Sequence, residues 1–310
     1  MGCAARTSGT GEDPHPWPAC RCARSPWSCG SPASRGWQRS SGRGSASPSR
    51  RAPPRRRRPC CAGTTCAPAR CRGSRAPRWR RATGAPAGRS STCTGGPTSA
   101  RSRKQHWALI SKLADAGVRV EVPLYGLGPQ HTYREAYPFV TEVYRELLAE
   151  VDASAVTVAG DSAGGGLALG FAQTLAEAGL PQPRRLVLLS PWLDLTLSHP
   201  DLPALEPRDP WLNIDGTVEA GKAWAGGDDP IQPRLSPING ELGGLAPMEV
   251  YVGTAELCLP DVLLLQERGA AAGAALEVTV CPGAVHVYPL VPAPEGRSAA
   301  KRIVEEIARG

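Results

Sequence analysis

The sequence predicts an α/β domain, a mostly parallel sheet with helices on both faces, behind a long segment that has no core of its own. Three observations predict it. Residues 1–103 contain no Val, Ile, Leu, Phe or Tyr at all, with Met1 and four Trp as their only large apolar side chains. From Lys104 onward, apolar runs of strand length alternate with stretches of helical period, the pattern of βαβ units. A glycine-rich turn, Gly160-Asp161-Ser162-Ala163-Gly164-Gly165-Gly166, separates one such strand from the helix that follows it.

The elements follow in order. Residues 105–116 place Trp107, Ile110, Leu113 and Ala114 on one helical face, and Gly117 stops the helix. Residues 118–122 alternate as a strand, and 125–132 form a Gly/Pro loop. Residues 133–151 read as a helix with Tyr137, Val140, Val143, Tyr144 and Leu147 on one face. A strand at 155–159, the glycine-rich turn, and a helix from 167 to 178 come next. Strands are then expected at 186–189, 248–252 and 276–280, and helices at 218–224, 260–272 and 298–308. Residues 195–246 are rich in Pro, Gly and Asp. About 200 residues suffice for a sizeable core. The domain boundary falls at 103/104.

Charge divides the chain at the same place. Residues 1–103 hold 21 Arg, no Lys and only Glu12 and Asp13 as acids, whereas the remaining 207 residues hold 15 basic and 26 acidic side chains. Ordering a backbone costs roughly 1–2 kcal/mol per residue, which a segment without large aliphatic side chains cannot offset, so 1–103 is expected to be disordered. Three readings of it compete. It is a basic arm for polyanions, centred on Arg50-Arg51 and Arg55–Arg58. It is a cysteine-based metal or disulfide module, against which Cys20, Cys22, Cys60, Cys61, Cys66 and Cys71 show no paired C-x2-C spacing. Or it is coding DNA translated in a shifted frame. Read one base upstream, the codons for 90–99 permit Val-Val-Tyr-Leu-His-Gly-Gly-Ala-Tyr-Val, a buried strand followed by a His-Gly-Gly loop. With Ser90-Ser91-Thr92-Cys93 in its place, the strand is expected to be missing and the sheet edge beside 118–122 to be unpaired.

The chemistry lies in the second part. Gly160-Asp161-Ser162-Ala163-Gly164 fits G-x-S-x-G between a strand and a helix, the context of a nucleophile elbow. The sharp turn exposes the Ser162 hydroxyl beside a helix N-terminus, where the Ala163 amide can receive an oxyanion. A nucleophilic serine needs a base and an orienting acid, in the chain order Ser, acid, His for this context. Of five histidines only His199 and His286 follow Ser162, and His286 comes just after the last expected strand. The acid should follow the preceding strand, where Glu256 sits at the strand end and Asp261 five residues on. Asp261 equally suits the N-terminal turn of the next helix.

Residues 104–310 resemble the hormone-sensitive-lipase-like branch of the α/β-hydrolase fold, a family of serine carboxylesterases. The resemblance rests on Gly160-Asp161-Ser162-Ala163-Gly164-Gly165, Ser190-Pro191-Trp192-Leu193-Asp194, Asp209-Pro210, Gly253-Thr254-x-Glu256 and Gly283-x-x-His286. It implies hydrolysis of short- to medium-chain acyl esters without a metal or cofactor, with Ser162, Glu256 and His286 as the triad. The family completes its oxyanion hole with a His-Gly-Gly motif, for which this chain has Thr94-Gly95-Gly96. Gly95 and Gly96 are therefore candidate oxyanion donors beside Ala163, although without their strand nothing holds them in place. The alternatives are an impaired hydrolase-like chain whose basic arm binds polyanions, and an amide or carbamate hydrolase with the same triad.

Other features carry less. Trp192, Trp211 and Trp224 either line a pocket or pack. Asp161 and Asp194 are expected to be structural, and Cys258 and Cys281 to be free thiols. No run of 18 apolar residues spans a membrane and no apolar stretch near the N-terminus marks export. A cytoplasmic enzyme acting on small-molecule esters, with no nucleic acid as its partner, is the expectation.

Overall fold

The computed structural model describes the backbone of residues 90–95 and residues 104–309 in full. Readings that concern residues 1–89, Gly96 and the rest of 97–103 lie outside the described residues. The elements are β1 (Ser90–Gly95), α1 (Lys104–Asp115), β2 (Arg119–Glu121), α2 (Tyr133–Leu148), β3 (Val156–Asp161), α3 (Ala163–Thr174) and β4 (Arg185–Leu189). They continue as α4 (Leu202–Leu205), α5 (Ile214–Ala225), β5 (Met248–Ala255), α6 (Leu259–Ala271), β6 (Leu276–Val285) and α7 (Pro294–Arg309).

The six strands form one sheet in the order β2-β1-β3-β4-β5-β6, and every pair is parallel. A strand buried on both faces should be apolar at successive positions, and β4 is so. Its Leu186 and Leu188 join a core with Tyr144 of α2, Leu169 of α3 and Leu265 of α6. Its Val187 and Leu189 point the other way, into a core with Leu113 of α1 and Ile303 of α7. The period-two alternation of the strand thus feeds two cores, one under each layer of helices.

One expectation is overturned. The slot at Ser90–Cys93 is not empty: β1 pairs with β2 from Ser90↔Arg119 to Thr92↔Glu121 and with β3 from Ser90↔Val156 to Gly95↔Asp161. The edge at 118–122 is therefore paired, and the sheet reaches across the 103/104 boundary read from composition. Backbone amides and carbonyls fill a ladder whatever the side chains are, so a gap between two parallel strands can accept even a Ser/Thr-rich segment.

Two element bounds also differ. The helix after the elbow starts at Ala163, directly after Ser162, not at 167. Its glycines read as loop, but they are where helix meets backbone: a Cβ on Gly166 would lie 2.1 Å from the Trp192 carbonyl oxygen, and one on Gly165 would lie 2.9 Å from Pro191 Cβ. The last strand runs past 280 to Val285, through a register shift opposite Gly253–Ala255. At Gly253 a Cβ would meet the Ala284 carbonyl oxygen at 2.1 Å, so glycine lets the two strands close there. Helix α2 agrees well with its sequence. Thr132 caps it, and the Glu135 carboxylate accepts from the Thr132 amide at 2.7 Å, a reciprocal capping box.

The chain runs outward from β1 to β2, then returns past β1 and continues through β3, β4, β5 and β6. The direction reverses between β1 and β3. In open α/β sheets such a switch point opens a crevice at the carboxyl ends of the strands, where ligands bind. Ser162 follows β3 at that end.

Candidate active site

Ser162 sits at φ 53° and ψ −123°, between the last residue of β3 and the first of α3. A serine held at positive φ costs on the order of 1–3 kcal/mol and persists only where its surroundings fix it. Here its amide donates to the Leu189 carbonyl at 2.9 Å, and its carbonyl accepts from Gly165, Gly166 and Trp192 at 3.0, 3.1 and 2.9 Å. The neighbouring Asp161 carboxylate is bonded to His106 of α1 at 3.0 Å, which ties the elbow to the opposite helix layer.

The Ser162 hydroxyl lies 2.8 Å from His286 Nε2, and His286 Nδ1 lies 2.7 Å from Glu256 Oε2. Glu256 comes at the end of β5 and is wholly buried; His286, which directly follows β6, is nearly so. The other carboxylate oxygen of Glu256 accepts from the Gly253 amide at 2.6 Å and from the Ser190 hydroxyl at 2.8 Å. Ser190 in turn accepts the Val287 amide at 2.9 Å. One serine at the end of β4 thereby joins the acid after β5 to the residue that follows the histidine after β6.

Backbone strain is concentrated here. The non-glycine residues at positive φ among the described residues are Ser162, Ser190, Leu197 and Val287. Ser162 and Leu197 line one pocket, Ser190 holds Glu256, and Val287 follows His286. For a β-branched valine that conformation is an outlier, and the hydrogen bond to Ser190 is what retains it.

A pocket of about 220 Å³ opens at Ser162, walled by Trp192, Leu197, Leu212, Ala220, Leu257 and Asp261 among others. Trp211 stands at its mouth, more than half exposed, whereas Trp224 is buried beside Tyr125 and takes no part. The Asp209 carboxylate ties the pocket rim to the Glu256 turn, accepting from the Trp211, Leu212 and Leu257 amides. Asp194 is structural. Burial disfavours its charge, but hydrogen bonds from Thr196 and Ser198 outweigh this and hold its carboxyl below the usual range.

The structure does not bring Asp261 to His286. The histidine is bonded to Glu256, and Asp261 faces the pocket from the first turn of α6. Burial, and then the charge of Asp194, push the Asp261 carboxyl up to about 7, with Arg268 opposing. Cys258 is a buried free thiol 3.8 Å from His286 Nδ1, raised well above its ordinary value by burial and by Glu256, Asp261 and Asp209. Glu256, Cys258 and His286 place three potential metal-ligand atoms within 4.8 Å of one another. Both Glu256 oxygens and both His286 nitrogens already take part in hydrogen bonds.

Of the oxyanion candidates, Ala163 supplies the first amide of α3. Gly95 is registered opposite Asp161, one residue before the nucleophile position. The strand that Gly95 needs is therefore present. Ser190 and the Val287 amide were not among the candidate residues; the signals for them were the position of Ser190 at the end of an apolar strand and its place in the Ser190-Pro191-Trp192-Leu193-Asp194 motif.

Residues 93–290 match the family described as alpha/beta hydrolase fold. This chain belongs to that family. Among curated relatives it is 33% identical to an acetyl-hydrolase of Streptomyces hygroscopicus over 66% of this chain and 70% of that protein. It is 31% identical to an esterase of Acinetobacter venetianus over 64% and 68%. Among solved hydrolases, an esterase from the bacterial hormone-sensitive lipase family aligns with TM-score 0.68 and 32% identity, covering 71% of this chain and 76% of that one. No helix among the described residues is long and apolar enough to cross a membrane.

Proposed function

We propose that the chain is a serine carboxylesterase that hydrolyses short- to medium-chain acyl esters through Ser162, His286 and Glu256. The observation that carries this reading is the unbroken run of hydrogen bonds from the Ser162 hydroxyl through both nitrogens of His286 to a buried Glu256. A carboxylate that accepts from Nδ1–H leaves Nε2 free to take a proton.

Ser162 Oγ attacks the ester carbonyl while its proton passes to His286 Nε2. The negative charge that develops on the carbonyl oxygen is received by the Ala163 amide, with Gly95 at the end of β1, and Gly96 next to it in the sequence, as candidate partners. The tetrahedral adduct collapses, the C–O bond to the alcohol breaks, and His286 returns the proton to the departing oxygen. Water then attacks the acyl-enzyme with His286 again as base, which releases the acid and restores Ser162. Glu256 holds the imidazole in one orientation throughout. The pocket of about 220 Å³ at Ser162, walled largely by apolar side chains, supports an acyl ester as the substrate. The buried Cys258 thiol, free among the described residues, supports a reducing compartment such as the cytoplasm.

The test is Ser162→Ala assayed on p-nitrophenyl butyrate, with circular dichroism to check the fold. The expected loss in kcat is on the order of 10⁴-fold or more. A folded variant that keeps its turnover overturns the assignment.

A further inference from the structure

The buried carboxyls among the described residues are Glu121, Asp161, Asp194, Asp209, Glu256 and Asp261. Five of the six have partners on the protein: Arg119 for Glu121, His106 for Asp161, Thr196 and Ser198 for Asp194, three backbone amides for Asp209, and Ser190, Gly253 and His286 for Glu256. Asp261 is only 6% exposed and has no hydrogen bond or ion pair among the described residues. Its carboxyl oxygens are not among the fully enclosed side-chain atoms without a partner, so an almost buried carboxyl with no protein partner keeps its access on the pocket side. The surface that Asp261 lines is the pocket at Ser162.

We propose that Asp261 is a specificity-determining residue whose carboxyl receives a hydroxyl group on the part of the ester that enters this pocket, so that hydroxylated short-chain esters are preferred over their plain analogues. This rests on the esterase reading above. The chemistry of the pocket selects a hydroxyl over a charged group. A carboxylate on the substrate would meet Asp261 in the pocket wall, with the charge of Asp194 acting on the same carboxyl. An ammonium would have to shed its water among Trp192, Leu197 and Leu257. A hydroxyl is neutral and both donates and accepts. Below about pH 7 the Asp261 carboxyl is mostly protonated and does the same. A polar group built to bond a substrate hydroxyl discriminates against the analogue that lacks it, because the protein group is then left unpaired.

The full chain is assayed at pH 6.5 in two arms that separate the acyl from the alcohol side. The acyl arm compares ethyl 3-hydroxybutyrate with ethyl butyrate; the alcohol arm compares 2-hydroxyethyl butyrate with propyl butyrate. In one arm the wild type should favour the hydroxylated ester in kcat/KM by about tenfold, the worth of one buried hydrogen bond. Asp261→Leu should bring that ratio to about one, and Asp261→Asn, which still donates and accepts, should retain most of it. Asp261→Ala serves as the second variant if leucine prevents folding. A general loss of structure lowers both members of a pair and leaves the ratio unchanged. No preference in either arm, or a preference that survives Asp261→Leu or Asp261→Ala, overturns the proposal while leaving the esterase reading intact. No turnover of any of the four esters overturns both.

Discussion

The rim of the sheet that carries the site has two sides, and they are held in different ways. On the side of β3 to β6, each site residue is fastened several times over. Ser162 is fixed by four backbone hydrogen bonds, Glu256 by Gly253, Ser190 and His286, and the turn after His286 by Ser190. On the side of β1, the strand Ser-Ser-Thr-Cys-Thr-Gly is placed by its pairing with β2 and β3. Its sequence offers none of the large aliphatic side chains that β4 divides between two cores. The comparison teaches that ladder pairing can place a backbone such as that of Gly95 beside the elbow, whereas cross-linked side chains and buried apolar area fasten the other side.

The largest effect tests the fastened side at its acid. Glu256→Gln should lose kcat on the order of 10³–10⁴-fold, because an amide no longer fixes the imidazole tautomer. Asp261→Asn should lose less than about tenfold on a plain ester, the scale of one hydrogen bond. Steady-state assays of both on p-nitrophenyl butyrate check the ranking, and the reverse order would transfer the acid role to Asp261.

The loosely held side should gain from apolar residues. Replacing Ser90→Val, Ser91→Val, Thr92→Tyr and Cys93→Leu gives β1 the character of its neighbours. Each large apolar side chain buried is worth about 1.5–3 kcal/mol, so Tm should rise by several degrees and soluble yield should increase. An unchanged melting curve would mean that β1 does not carry its side chains into the cores.

Asp261 gives a pH-dependent contrast. Burial, and then Asp194, push its folded-state carboxyl up to about 7, against 3.8 for the free group. Between those values the folded chain keeps a proton that the unfolded chain has lost, so ionisation costs folding free energy as pH rises through the window. The cost is absent below about pH 4 and complete above about pH 7. Asp261→Asn should therefore match the wild type in unfolding free energy near pH 4 and exceed it at pH 8, by an amount on the order of a few kcal/mol. Parallel melts at the two pH values check this, and equal differences at both would remove the burial argument.

The smallest effect concerns Ser190. Ser190→Ala removes one of two donors to Glu256 Oε1 and the acceptor of the Val287 amide. It should lower kcat by about tenfold with KM little changed. Ser190→Thr should restore part of the rate.

Much of the candidate site was legible in the sequence because it lies where local signals lie. The Gly-x-Ser-x-Gly turn, a histidine after the last strand and a glutamate at the end of the strand before it are each defined within a few residues. The chain order then relates them across 124 positions. Ser190 was not legible as a support for the acid, since nothing near it in the chain shows that Glu256 and Val287 arrive beside it. The start of α3 was misplaced because a run of glycines reads as loop, whereas three-dimensional packing against Pro191 and Trp192 makes glycine the residue that fits.

By itself, then, the amino-acid order determined the α/β class, the alternation of elements from Lys104 onward, the elbow at Ser162 and the short list of partners for it. These depend on periodicity, turn chemistry and strand ends, which are properties of neighbours in the chain. Only the tertiary structure decided that Ser90–Gly95 fills the slot beside β3, that Glu256 and not Asp261 meets His286, and that Asp261 faces a pocket without a partner among the described residues. Those outcomes depend on which distant backbones pair and which side chains then fall within about 3 Å of each other, and hydrogen bonding at that range is decided by the packed fold.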